Sequence, residues 1–128
     1  MAKRLLIIDD DHDILEIARL SLEMIGGHEV VTASWGYDGL LKAKDTQPDA
    51  ILLDVMMPDM DGPETFRRLQ QDPATRHIPV ILLTAKVQLS DRQGLLDLGV
   101  RGVLAKPFDP MRLSNQIAAL LGWSEPSA

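Results

Sequence analysis

Ile51-Leu52-Leu53-Asp54-Val55-Met56-Met57-Pro58 sets the reading of the chain. Three unbroken aliphatic residues stop at a carboxylate, and a segment with proline follows. A continuous apolar run, rather than an alternating one, is what a strand covered on both faces requires. The same design recurs along the chain. Leu5-Leu6-Ile7-Ile8 stops at Asp9, Ile81-Leu82-Leu83 stops at Thr84, and Val103-Leu104-Ala105 stops at Lys106. If these runs are neighbouring parallel strands, their ends share one edge of a sheet. Asp9, Asp10 and Asp54, a hydroxyl and an ammonium then meet in one crevice.

Working outward, apolar runs fall near residues 4–8, 29–33, 49–53, 78–83 and 102–105, which predicts five central strands. The segments between them have helical spacing. Ile14, Ala18, Leu22 and Ile25 share a face in the first, and Leu113, Ile117 and Leu120 share one in the last. Asp11 is placed to cap the first helix and Gly26-Gly27 to end it; Asp109-Pro110 reads as the start of the last helix and Gly122 as its end. Strands alternating with helices give an open parallel sheet wound on both faces, whose ligands bind beyond the carboxyl ends of the strands. Residues 1–122 are read as one domain and 123–128 as a short tail.

Bulk composition narrows the function. The chain has 128 residues, 19 acidic against 13 basic, and a net charge of −6, which disfavours direct contact with nucleic acid. It has no cysteine, so neither a disulfide framework nor a thiolate metal site is available. No apolar stretch approaches the roughly 20 residues of a membrane span, and aspartates follow the first run where a signal peptide would stay apolar. The expected location is the cytoplasm.

The crevice chemistry follows from its residue types. Adjacent carboxylates joined by a third repel one another in a partly dry site, and a hard cation relieves the repulsion. Oxygen ligands that leave positions open for phosphoryl oxygens suit Mg²⁺, or Mn²⁺, better than zinc. The loop after Asp54 is expected to present that carboxylate at the crevice mouth as a nucleophile, with Thr84 hydrogen-bonding and Lys106 neutralising the transferring oxygens. Taken singly, Asp9-Asp10 could be a helix cap, Asp54 a turn residue and Thr84 a strand-end hydroxyl; it is their coincidence at four strand ends that favours chemistry. Lys106-Pro107 reads either as a plain strand terminator or as a cis bond that aims the lysine into the crevice, and the sequence does not choose between them.

Ile7-Ile8-Asp9-Asp10-Asp11, Leu52-Leu53-Asp54-Val55-Met56-Met57-Pro58, Leu83-Thr84-Ala85 and Leu104-Ala105-Lys106-Pro107-Phe108 resemble, in order, the signature blocks of response-regulator receiver domains. The likeness covers about residues 4 to 121. It implies a flavodoxin-like sheet of order 2-1-3-4-5 with five helices. It implies that Asp54 accepts a phosphoryl group from a phosphohistidine on a sensor histidine kinase or phosphotransfer protein. Asp10 would ligate Mg²⁺ directly, Asp9 largely through water, and Met56 through its backbone carbonyl, while Thr84 and Lys106 would hold the phosphoryl oxygens. Such a domain is a signalling acceptor rather than an enzyme, catalysing only its own phosphorylation and dephosphorylation. The surface it switches is helix four, strand five and helix five, which could also serve a homodimer. One departure stands out: the aromatic switch position three residues before the lysine holds Val103. Gly94, within the fourth helix, is either a close-packing glycine or a softener of that helix. Met56 and Lys86, two residues beyond Asp54 and Thr84, offer no evident means of orienting an attacking water.

Three rival readings fit these residues less well. An aspartate-nucleophile phosphatase would carry a second Asp where Met56 stands. A flavin-binding flavodoxin would not place Asp9-Asp10-Asp11 beside a phosphate. A pseudo-receiver that binds partners without phosphorylation sits poorly with intact Asp9, Asp10, Asp54, Thr84 and Lys106. Output is expected to pass through a partner or self-association, unless the chain belongs to a longer protein.

Overall fold

The structure is a computed structural model that describes residues 2–85 and 89–123, the side chains of residues 89 and 90 excepted. Five strands, β1 (Arg4–Ile8), β2 (Glu29–Ala33), β3 (Ala50–Asp54), β4 (Val80–Thr84) and β5 (Gly102–Ala105), alternate with five helices. These are α1 (His12–Met24), α2 (Gly36–Thr46), α3 (Gly62–Gln71), α4 (Leu89–Leu96) and α5 (Leu113–Leu121). All strand pairs are parallel, in the order β2-β1-β3-β4-β5. This is the doubly wound, flavodoxin-like sheet that the apolar runs require.

Alternation along each strand divides the core into two layers. Leu6, Ile8, Ile51, Leu53 and Leu82 pack with Ala43 of α2, Phe66 and Leu69 of α3, and Leu95 and Leu96 of α4. Leu5, Ile7, Leu52, Ile81 and Leu83 pack with Leu15, Ala18 and Leu22 of α1 and Leu113, Ile117 and Leu121 of α5. Central strands β3 and β4 are buried along their whole length, which is why their sequences do not alternate with polar residues.

Two helix details depart from expectation, the buried face of α1 and the start of α5. Asp11 caps α1, accepting from Asp13 N and Ile14 N, but the helix ends at Met24, and Ile25 is 47% exposed. The buried stripe runs instead through Leu15, Ala18, Ser21 and Leu22. Asp109-Pro110 does not open α5. Asp109 uses its carboxylate on Met111 N and its carbonyl on Arg112 N, closing a turn, and the helix begins at Leu113. At Gly94 a Cβ would meet no atom within 4 Å among the described residues, which does not suit a close-packing glycine. Gly122 ends α5 with φ 71°, as expected.

Trp123 packs against the second core layer, 6.0 Å from the His28 ring and under the Lys3 ammonium. Arg67 and Arg68 are occupied with Glu64, so that basic stretch is a solvated, paired face of α3. Residues 124–128 of the tail, and Lys86, lie outside the described residues.

Candidate functional site

Parallel register brings the polar strand ends together. β3 pairs with β4 so that Asp54 stands opposite Leu83, and β4 pairs with β5 so that Thr84 stands opposite Ala105, one residue before Lys106. Backbone bonds carry the registration past the strands: Val55 N donates to Leu83 O at 3.0 Å, Lys106 N to Thr84 O at 2.9 Å, and Asp9 N to Ala33 O at 3.1 Å. Asp9, Asp10, Asp54, Thr84 and Lys106 therefore occupy one edge, as the sequence predicts.

Asp9, Asp10 and Asp54 each offer a carboxylate oxygen, and the three oxygens lie within 4.8 Å of one another. The adjacent pair divides its work. Asp9 is fully buried and takes Asp11 N on Oδ1 at 2.9 Å, whereas Asp10 is exposed. Asp54 is only 4% exposed, so it forms the floor of the crevice rather than its mouth. The reason is that β3 continues through Asp54 and the loop turns only afterwards; the exposed residue at the mouth is Met56. Met57 and Met60 fill space above the sheet, as expected of a methionine cluster next to a core.

The Lys106 ammonium bridges Asp9 Oδ2 and Asp54 Oδ1, 2.8 Å from each, with the Lys106–Pro107 bond cis. Asp9 Oδ2 accepts no aligned hydrogen bond among the described residues, so its contact with the ammonium is one of charge. Burial pushes the Asp54 carboxyl above its ordinary value, with the Asp9 charge adding to it; the bonds from Lys106 and Met56 N oppose this without cancelling it. Burial would lower the Lys106 ammonium, but its two carboxylate partners hold it above its usual value. Two buried carboxylates thus share one cation, with the exposed Asp10 close by.

This charge excess has a testable sign. An acid held above its unfolded value contributes full stability below the ordinary carboxylate range, and loses that contribution as pH rises through its raised folded value. Metal-free Asp54→Asn is therefore expected to melt above the parent at neutral pH, the difference closing as pH falls into the carboxylate range. Parallel thermal melts across that pH range check it.

The donor set fits a hard divalent cation. It is all oxygen, carries a net negative charge, and includes a buried carboxylate atom without an aligned donor. Gly62 brings the opposite wall close: a Cβ there would lie 2.6 Å from Asp54 O and 2.8 Å from Val55 Cα, so only glycine lets α3 start against the end of β3.

The chain is similar to known proteins. The sequence profile of the response regulator receiver domain matches residues 5–118. The chain is 38% identical over 128 residues to the alkaline phosphatase synthesis transcriptional regulatory protein PhoP of Bacillus subtilis, covering 100% of this chain and 52% of that protein. It is 42% identical over 122 residues to the response regulator PleD of Caulobacter vibrioides, covering 94% of this chain and 26% of the relative. It thus spans about half the length, or less, of these relatives. Among solved structures, a response regulator from Chloroflexus aurantiacus superposes with a TM-score of 0.85 at 34% identity, covering 95% of this chain and 99% of that one.

Proposed function

Because the chain belongs to the response regulator receiver domain family of two-component signalling, we propose that it accepts a phosphoryl group on Asp54 from a phosphohistidine of a sensor kinase or phosphotransfer protein. The observation that carries this reading is the cluster of Asp9, Asp10 and Asp54, with Lys106 bridging Asp9 and Asp54 beside Thr84. Asp10, Asp54 and the Met56 carbonyl would hold Mg²⁺, with Asp9 acting through a bound water. When bound, the ion neutralises charge that develops on the transferring oxygens.

The chain's own residues do the rest. Asp54 Oδ attacks phosphorus in line with the departing imidazole nitrogen; the P–N bond breaks as the acyl phosphate bond forms, and the imidazole takes a proton. Burial keeps the carboxylate poorly solvated, which leaves its lone pair available. Lys106, already 2.8 Å from Asp54, would transfer its contact to the phosphoryl oxygens, and Thr84 would donate its hydroxyl. The added charge of about −1.5 to −2 would draw both toward the crevice. Their shift would bias the surface of α4, β5 and α5, for binding a partner or a second copy. With Val103 buried at 7% on β5, no aromatic ring swings there, and coupling runs through the Thr84 loop and α4. The protein would act in the cytoplasm, residues 1–122 forming the signalling unit and 123–128 a tail. Among the described residues no helix is long and apolar enough to cross a membrane.

Incubation with acetyl phosphate, with Mg²⁺ or with excess chelator, followed by intact-mass measurement, tests the reading. One phosphoryl group is expected with Mg²⁺ and none with chelator; absence of uptake in both arms defeats it in favour of a phosphorylation-independent adaptor. Met56, 66% exposed at the mouth, has no polar atom to align a water. Met56→Asn is accordingly expected to shorten the phosphoryl lifetime severalfold, checked by following phosphate release beside the parent.

A further inference from the structure

α2 does not cap itself. Trp35 occupies its N-cap position in extended conformation, and the indole makes no capping hydrogen bond. The helix's first amides go elsewhere: Gly36 N donates to Asp59 Oδ1 at 3.1 Å and Tyr37 N to Asp59 Oδ2 at 3.2 Å. Asp59 belongs to the loop that leaves Asp54, so both of its carboxylate oxygens are spent on a different element. Gly36 makes the approach sterically feasible, since a Cβ there would lie 3.0 Å from Met60 Cε and 2.9 Å from Thr65 Oγ1. Together Asp59 and Met60 clasp the start of α2.

The clasp borders the candidate metal site. Trp35 and Pro58, the residues immediately before Gly36 and Asp59, line a cavity of about 440 Å³ together with Asp10, His12 and Ser34. The loop is also tied at its ends, by Val55 N on Leu83 O and Gly62 N on Val55 O at 2.8 Å, and Met56 N bonds the Asp54 carboxylate. Between them, the stretch bearing Met56 is held laterally by Asp59.

We propose that Asp59 is a positioning residue for the acceptor site, its two bonds to α2 fixing the 55–58 stretch and with it the Met56 carbonyl. The inference rests on the proposed function, because it assigns that carbonyl to Mg²⁺. A purely structural role is the competing account: Asp59 would then cap α2 and nothing more. Supplying α2 with a local cap separates the two, since a serine at position 35 can accept the helix's free amides from within the extended N-cap geometry already present, and adds no charge to the cavity shared with Asp10.

The experiment compares parent, Asp59→Ala, Asp59→Asn and the double variant Trp35→Ser/Asp59→Ala. It reads urea midpoint, amide exchange over residues 55–58 in metal-free protein, and the Mg²⁺ dissociation constant by calorimetry. Asp59→Ala is expected to speed exchange at Met56 and Met57 and to weaken Mg²⁺ binding about tenfold, the lower end for loss of an outer-shell partner. The double variant is expected to regain the midpoint while exchange and Mg²⁺ affinity stay at the Asp59→Ala values. Recovery of affinity in the double variant, or an Asp59→Ala constant within about twofold of the parent, overturns the proposal. Should the double variant regain no stability, Asp59→Asn decides, because its one acceptor oxygen keeps half the clasp: an intermediate constant supports positioning and a parental one overturns it. A parent that binds no Mg²⁺ defeats the functional reading instead.

Discussion

Asp54→Asn is expected to take up no phosphoryl group from acetyl phosphate and Mg²⁺ under conditions that load the parent. The substitution keeps the shape of the floor of the crevice, and an amide oxygen can still accept from Lys106 at the place where Asp54 Oδ1 stands. What it removes is the anionic nucleophile, along with one of the three carboxylates whose oxygens lie within 4.8 Å of one another. Neither Asp9 nor Asp10 can take over. Asp9 is fully buried and engaged with Asp11 N and Lys106, and Asp10 is the direct metal ligand in the proposed arrangement. Because Asp54→Asn is also expected to be the more stable protein in metal-free buffer at neutral pH, loss of uptake cannot be put down to unfolding. Intact mass after prolonged incubation checks the outcome, and uptake equal to the parent would move the acceptor elsewhere.

The second large effect is structural. Lys106→Met is expected to cost about 3 kcal/mol in metal-free protein, since removing one partner of a buried ion pair leaves the other charges uncompensated. Here the remaining charges are Asp9 and Asp54, both nearly inaccessible to water, and the lysine itself is only 18% exposed. A methionine fills the same stem volume, so the loss reports charge rather than a cavity. Two conditions should restore stability: acid, which protonates the carboxyls, and Mg²⁺, which replaces the lost cation. Mg²⁺ should therefore raise the melting temperature of Lys106→Met by more than that of the parent, because binding energy adds to stability. Equal melting of parent and variant without metal would show that Asp9 and Asp54 are not held together by Lys106.

Both expectations hinge on features that sequence shows unequally. The strands were legible because Leu52, Leu53, Ile81, Leu82 and Leu83 must be apolar on both faces of a central parallel sheet, and that demand is local. Asp9, Asp54, Thr84 and Lys106 are legible for the same reason, each at or one beyond the end of such a run, and Asp10 follows Asp9 directly. Exposure was not. Asp54 was expected at the mouth because a polar residue before a loop ordinarily faces solvent, whereas β3 carries it inward as a strand residue. The start of α5 was misplaced because Asp109-Pro110 satisfies a turn with the same groups that a helix start would use. Asp59 went unnoticed as a cap for α2 because its partners, Gly36 and Tyr37, are remote in sequence and meet it only once the sheet has assembled. No spacing rule reads across that distance. Trp35, a residue that cannot cap, standing before Gly36 was the signal that α2 needs its cap from elsewhere.

The central claim is that one carboxylate at the end of β3 becomes an acyl phosphate. Borohydride reduces an acyl phosphate to the corresponding alcohol and leaves free carboxylates untouched, so reduction after loading with acetyl phosphate and Mg²⁺ marks the acceptor permanently. Peptide mass mapping should then find homoserine in place of Asp54, and Asp9 and Asp10 unchanged. Homoserine at Asp9 or Asp10, or a stable phosphate on a hydroxyl such as that of Thr84 with Asp54 intact, would contradict the account.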